Sequence, residues 1–305
     1  MVSNKIVKLS TIINYCTNDY RTFAKCVEEV KKFSSQILVV TCDHFFNGEP
    51  EDRELLHSTY AEFPEISFIE FAHAKDELYS PYVNCPREDT DFMDYMHSTT
   101  RFISFFFIDQ AAEYVLYLDS DEIIEGDQFV KWLKSKEYEN YDAVRWLQHY
   151  YFRSAYFQAE DFQIGGLFAK KDKITLSALM HNKYDRCGIY HNIEGRKTEG
   201  ISFMDKPFVH HYSWVKTKAE CLLKAKSTPL HWEKDWDKIL EDEFSRDFQG
   251  KDFDGRSYRI LEKTYFDPFA VPLPKKQVTQ ESFSNVRKVD KNEIRRRELA
   301  YSFGI

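Results

Sequence analysis

Four short apolar runs constrain this chain most: KLSTIINYC (8–16), QILVVTC (36–42), ISFIEF (66–71) and YVLYLD (114–119). Each is rich in apolar and β-branched residues that fall on both faces of a strand, whereas a strand with one face in water alternates strictly. Between the first two, YRTFAKCVEEVKKF (20–33) sets Phe23, Val27 and Val30 at helical spacing, with Lys and Glu opposite. EPEDRELLHSTYAEF gives a second helix before the third run. A polar loop, YSPYVNCPRED, then precedes a helix from about Asp91 to Asp109. Strands apolar on both faces, alternating with helices, predict an α/β fold with a central, mostly parallel sheet flanked by helices. Sheets of that kind bind ligands beyond the carboxyl ends of their strands.

After Gly126 the pattern loosens. YDAVRWLQHYYF, GGLFAKK and FVHHYSW (208–214) have strand character, while Lys216 to Lys226 and Trp232 to Phe248 have helical spacing. PLPKKQ (272–277) has the composition of a linker or a wrap-around segment, and Arg287 to Arg297 that of a solvated helix. With 305 residues the chain is long enough for one large domain or two small ones. A net charge of -8 argues against a nucleic-acid surface across the whole molecule. The six cysteines contain no C-x-x-C pair, which suits reduced thiols better than a disulfide framework or a zinc site. No apolar run approaches the ~20 residues that span a bilayer, and the N-terminus lacks a signal-peptide core. The expectation is a cytoplasmic protein, soluble or peripheral to a membrane.

The last of the four strands, VLYLDSDEII (115–124), runs directly into Asp119, Asp121 and Glu122. Two carboxylates at i and i+2 on the turn leaving a central strand can both point into the cleft above the sheet. Their mutual repulsion is costly unless a cation neutralises them. Oxygen ligands of this kind suit Mg²⁺ or Mn²⁺, which take substrate phosphates as further ligands. The expectation is a divalent ion bridging Asp119 and Asp121 to a diphosphate. The alternative is a solvated loop whose acids cap the next helix, as expected for Asp127. Glu122 is expected to orient the metal shell or cap the next turn.

Two enzyme classes place D-x-D at a strand end. A metal-dependent phosphatase of the haloacid-dehalogenase kind would use the first Asp as nucleophile and the second as acid/base. That class favours Thr or Val where this chain has Ile123, and it sets this strand early, whereas three strands precede it here. A carbohydrate-binding module without catalysis is a third reading, disfavoured by the retained DSDE.

YVLYLDSDEII resembles the metal-binding strand of family 2-type glycosyltransferases with the GT-A fold, a Rossmann-like sandwich. The N-terminal half agrees: TIINYCTND places Thr17, Asn18 and Asp19 after the first strand, and LVVTCDH places Asp43 after the second. FVHHYSWVKTKAECLLKAK is similar to a late segment of a subset of these enzymes. The resemblance covers roughly residues 8 to 250, and DSDE and HHYSW are its specific parts. It implies a metal-dependent, inverting transfer of a sugar from a UDP-, GDP- or dTDP-sugar to a glycan, lipid-linked or protein acceptor. Residues 1–250 would form the transferase domain (1–125 nucleotide-binding, 126–250 acceptor-side) and 251–305 a C-terminal helical extension.

On that resemblance Asp119, Asp121 and a late histidine would hold the metal. His210 and His211 face opposite ways in a strand, and His211 is preferred. Thr17, Asn18, Asp19, Asp43 and Ser120 would contact the nucleotide. Lys216 and Lys218 would neutralise the departing diphosphate, the alternative being solvent-exposed helix lysines. Arg101 would meet phosphate or pair with an acid. Such enzymes take their general base from an acidic segment after the metal strand; QAEDFQIGG offers Glu160 and Asp161, with Glu194 a further candidate. No R-x-x-R-W-type acceptor segment follows. Gly165 and Gly166 would admit an acceptor closely, and Trp146, Tyr150, Tyr151, Phe152 and Tyr156 would either line its cleft or pack the core.

Overall fold

A computed structural model of the chain describes residues 7–73, 78–80, 89–180, 185–228, 234–274 and 282–303. The first half alternates as its apolar runs dictate: β1 (Leu9–Asn14), α1 (Tyr20–Val30), β2 (Gln36–Cys42), α2 (Arg53–Glu62), β3 (Ser67–Phe71), α3 (Asp89–Phe105) and β4 (Tyr114–Asp119). Next come β5 (Glu122–Ile124), α4 (Gly126–Ser135), β6 (Ala143–Phe152), β7 (Ser154–Ala159), β8 (Gln163–Lys170), α5 (Leu176–Leu179) and α6 (Asp185–Asn192). The chain continues through β9 (Lys197–Ile201), β10 (Val209–Trp214), α7 (Lys218–Ser227), α8 (Trp236–Phe244), β11 (Tyr258–Ile260), β12 (Val286–Val289) and α9 (Lys291–Phe303).

All the strands join one sheet, ordered β11-β7-β6-β8-β4-β1-β2-β3-β12, with β10 paired to β5 and β6 and β9 paired to β6. From β4 to β12 the pairing is parallel throughout. β8 then runs antiparallel to β4, and β6 antiparallel to β8. The chain steps from β1 through β2 to β3 on one side, then returns to lay β4 on the other side of β1. That reversal opens a crevice at the carboxyl ends of β1 and β4.

Alternation along each strand divides the core between the two faces. Leu9, Ile13, Val39, Leu116 and Leu118 pack under α1, α2 and α4 with Phe23, Val27, Leu56, Phe129 and Trp132. Ile12, Leu38, Val40, Val115 and Tyr117 pack on the opposite face under α3, α5 and α6. Each such side chain contributes about 1.5–3 kcal/mol on full burial, so the apolar pattern that predicted the strands also fixes their layer. A smaller cluster joins α7 and α8 to β6, β7 and β11 through Trp214, Cys221, Trp236 and Tyr258. Among the described residues no helix is long and apolar enough to cross a membrane.

The stretch expected to be a helical extension ends in the helix α9 and is not helical throughout. Residues 251–305 supply edge strands at both ends of the sheet: β11 pairs antiparallel with β7, and β12 parallel with β3. α9 starts at Lys291 rather than Arg287, because Asp290 accepts a hydrogen bond from the Glu293 amide at 2.7 Å and caps the helix there. The residues before it, Val286 to Val289, extend along β3. Residues 275–277 of the PLPKKQ segment lie outside the described residues.

Candidate active site

β4 carries its apolar run to Asp119, and the chain reverses at once. The Ser120 amide donates to the Asn14 carbonyl at 3.0 Å, and its hydroxyl to Asp19 Oδ2 at 3.1 Å. The turn is thereby tied to the end of β1. β5 then pairs antiparallel with β10, setting Glu122 opposite His211, and the Tyr212 amide donates to the Asp121 carbonyl at 2.9 Å. This pairing brings a histidine from about ninety residues later to the acidic turn.

The two histidines part as strand geometry requires. His211 presents Nε2 to Asp121 Oδ1 at 3.4 Å and lines the cleft. His210 turns away: its Nδ1 meets the Tyr151 hydroxyl at 2.7 Å, its Nε2 meets Glu125 Oε1 at 3.0 Å, and its ring stacks on Tyr265. His211 Nδ1 lies 3.1 Å from the amide nitrogen of the buried Gln148. That amide packs so closely over Gly165 that a methyl group there would overlap it. At Gly166, whose φ is +60°, an added methyl group would stand 3.3 Å from the ring of Trp146, a tight contact without overlap. Gly165 thus makes room for the Gln148 amide that meets His211.

The acids are already compensated. Asp119 Oδ1 accepts from Arg101 Nη2 at 3.1 Å, and Oδ2 pairs with Arg186 Nη2 at 2.9 Å. Glu122 is wholly buried; both its oxygens accept from the Arg186 guanidinium, and Oε2 also takes the Asp119 amide at 3.0 Å. Asp121, 2% exposed, receives Lys224 Nζ on Oδ2 at 3.2 Å. Burial alone would push the Asp121 carboxyl up. Lys224 and His211 outweigh it and hold the group well below the usual carboxylate range. Burial likewise opposes the charge on Lys224, and Asp121 and Asp19 reverse that, raising its pKa.

The cavity enclosed here, about 250 Å³, is lined by Asp119, Asp121, His211, Lys224 and Arg186, and also by His44, Phe45, Phe46 and His97. Glu51 also lines it. One of its oxygens accepts from both the amide and the hydroxyl of Thr17. Burial pushes its carboxyl up to about 7 against the pull of those Thr17 bonds, with Asp19 and Asp52 adding to the rise.

Among the described residues no group of three or more His, Cys, Asp or Glu side chains forms a ready metal cage. Asp121 and His211 nevertheless fit a divalent ion, because a carboxylate oxygen and an imidazole nitrogen face each other across the cavity wall. Mg²⁺ and Mn²⁺ are commonly held by one or two such groups, with substrate phosphate and water completing the shell.

The residues singled out from sequence fall into three groups. Asp19, Asp119, Asp121 and His211 line the cavity together. Thr17, Ser120, Arg101 and Lys216 stand behind it. Arg101 pairs with Asp119, and the buried Lys216 donates to Asp19 at 2.7 Å. The others are not brought into the lining. Asn18 donates to the Glu220 carbonyl, and Asp43 accepts from the His73 amide and meets His44. Lys218 pairs outward with Glu241. Glu160 and Asp161 sit exposed at the turn between β7 and β8, with Asp161 3.5 Å from Arg256; Glu194 is exposed in the loop before β9. Trp146, Tyr151 and Phe152 are core residues and Tyr150 is buried beside His211, while Tyr156 is exposed.

Sequence reasoning missed Lys224, Arg186 and Glu51. A signal for Lys224 existed. Thr217 and Glu220 form a capping box that starts α7 at Lys218. Lys218 therefore begins the helix pointing out, and the buried Cys221 and Ala225 mark the inward face on which Lys224 falls. Arg186 carries no local signal, since its partners are Asp119 and Glu122 on a distant turn.

No protein-family model and no curated protein matches the sequence. Similar solved structures include a 4-diphosphocytidyl-2C-methyl-D-erythritol synthase from Anaerococcus prevotii, 11% identical at a TM-score of 0.39, with 72% of this chain and 97% of that one covered. The glycosyltransferase GlyE of Streptococcus pneumoniae is 12% identical at a TM-score of 0.38, covering 78% of this chain and 64% of that one. TarS of S. aureus is 12% identical at 0.38, covering 80% of this chain and 44% of that one. The chain thus spans less than two thirds of the length of these two.

Proposed function

We propose that this protein is a glycosyltransferase that moves a sugar from a nucleoside-diphosphate sugar to an acceptor hydroxyl, using Mn²⁺ or Mg²⁺. The observation that carries the reading is the cavity at the switch point of the sheet. It is lined by Asp121 and His211, by two cations, Lys224 and Arg186, and by the flat rings of Phe45, Phe46 and His97. A divalent ion held by Asp121 and His211 would supply Lewis-acid stabilisation of the leaving diphosphate. Lys224 and Arg186 add positive charge where negative charge develops. Phe46 and His97, with ring centroids 5.4 Å apart, offer faces for a nucleobase. Glu160 or Asp161, on the same end of the sheet as the β4 terminus because β8 runs back along β4, would take the acceptor proton.

The phosphatase alternative needs the second aspartate to donate a proton. Both oxygens of Asp121 already face cationic or ring-nitrogen partners, Lys224 and His211, which favour its carboxylate form. Asp119, which would be the nucleophile, has both oxygens on guanidinium groups.

The test is a thermal-shift screen of UDP, GDP, dTDP, CDP and ADP with and without Mn²⁺. One nucleotide at a hundred times its Kd should stabilise the fold by about 2.7 kcal/mol, with the metal increment lost in Asp121→Asn. If no nucleoside diphosphate shifts the melting temperature in the presence of metal, the reading is wrong.

A further inference from the structure

Lys224 is one of two cations that sequence reasoning missed, and its position has a consequence for how ligands enter the cleft. In the free protein Asp121 gives one oxygen to Lys224 and turns the other toward His211. Lys224 reaches it from α7, with a side chain 18% exposed that lines the cavity. Around the turn Asp119, Asp121 and Glu122 meet Arg101, Arg186 and Lys224, so charge balances before any ligand arrives. A diphosphate entering alone brings negative charge into a balanced site. A divalent cation entering alone must compete with Lys224 for Asp121.

We infer that Lys224 is a diphosphate-binding residue held in reserve by Asp121, released to the phosphate when a divalent cation takes that carboxylate. The inference rests on the proposed function and adds to it the order of exchange. Cation and ammonium compete for one carboxylate, while cation and diphosphate assist each other. Linkage makes that assistance reciprocal: the factor by which nucleotide tightens metal binding equals the factor by which metal tightens nucleotide binding. Lys216 does not substitute for Lys224, because its ammonium is buried on Asp19.

A single substitution then has effects of opposite sign. In Lys224→Met, Mn²⁺ added alone, followed by the electron paramagnetic resonance signal of free Mn²⁺, should bind about tenfold more tightly, because Asp121 has lost its competitor. The nucleoside diphosphate that stabilises the wild type should bind about tenfold more weakly in the presence of Mn²⁺, the condition in which Lys224 is released to the phosphate. Lys224→Arg keeps the charge and should recover most of the nucleotide affinity, which a purely structural role would not explain. Circular dichroism of the variants checks that both are folded. Unchanged or weaker Mn²⁺ binding by folded Lys224→Met overturns the inference, and so does nucleotide binding that survives the substitution. If the variant gains Mn²⁺ affinity but the wild type binds no nucleoside diphosphate at all, competition at Asp121 stands, and both the diphosphate role and the proposed function fall.

Discussion

Replacing Glu122 by Gln tests how the acidic turn is held. Glu122 has no exposed surface, and its two oxygens accept two charge-assisted hydrogen bonds from Arg186 and one from the Asp119 amide. Glutamine has nearly the same shape but offers a single acceptor, and its amide nitrogen would face another donor whichever way it turned. The guanidinium, itself 8% exposed, would keep its pair with Asp119 but lose this one. Breaking one side of a buried ion pair costs about 3–5 kcal/mol. At about 2 °C per kcal/mol for a chain of this length, the melting temperature should fall by roughly 6–10 °C. Urea denaturation of Glu122→Gln, Arg186→Met and the double variant separates the pair from its surroundings. The double variant should be more stable than the two single losses predict, with a coupling of about 2 kcal/mol. A loss under about 1 kcal/mol in Glu122→Gln, or no coupling, would refute the view that Glu122 anchors the site rather than binding a ligand.

Glu51 makes a pH-dependent prediction. Its folded carboxyl is raised from 4.5 to about 7, so between those values the folded state holds a proton that the unfolded chain has released. Stability is therefore highest below the lower value, falls as pH rises through the window and levels off above it; the full span is about 3 kcal/mol. Glu51→Gln should lose this slope, becoming more stable relative to wild type at pH 8 than at pH 5 in chemical denaturation; parallel profiles would contradict the buried charge. Gly165→Ala should push the Gln148 amide off its seat and cost about 1–3 kcal/mol. It should also weaken the Mn²⁺ increment in nucleotide thermal shifts through His211; a neutral substitution would mean that Gln148 does not position the ring. If Asp161 supplies the base, Asp161→Asn should lower sugar transfer at least a hundredfold with nucleotide binding unchanged, whereas equal rates would assign the proton elsewhere.

The parallel half of the sheet was legible because each of its first four strands is apolar on both faces, a pattern that helices on both sides explain. Short strands were harder. β5 is three residues long, and β11 and β12 sit at sheet edges, where pairing and not sequence pattern defines the strand. The acidic turn and His211 were legible as chemistry, since three acids at the end of a buried strand require a cation. What that cation is in the free protein was not. Arg101, Arg186 and Lys224 reach the turn from three helices, and no local spacing records such a convergence. Glu160 and Asp161 are exposed at the turn between β7 and β8 and outside the cavity lining, a position that spacing along the chain does not record.

The histidine pair shows how an unremarkable core residue serves a functional neighbour. A one-residue slip of β10 against β5 would exchange the faces of His210 and His211. It would bring His210 to Asp121 and drive His211 among Tyr151, Glu125 and Tyr265. The two histidines by themselves do not forbid that slip, since each could meet the other's partners. The rest of the strand does: the slip would also turn Val209 and Tyr212, both fully buried, out of the places in which they pack in the core. Losing the burial of two such side chains would cost about 1.5–3 kcal/mol each. The contacts of His210 with a hydroxyl, a carboxylate and a stacked ring agree with the register that this packing sets. The apolar neighbours of the histidine pair thus hold His211 on the cleft side of the strand.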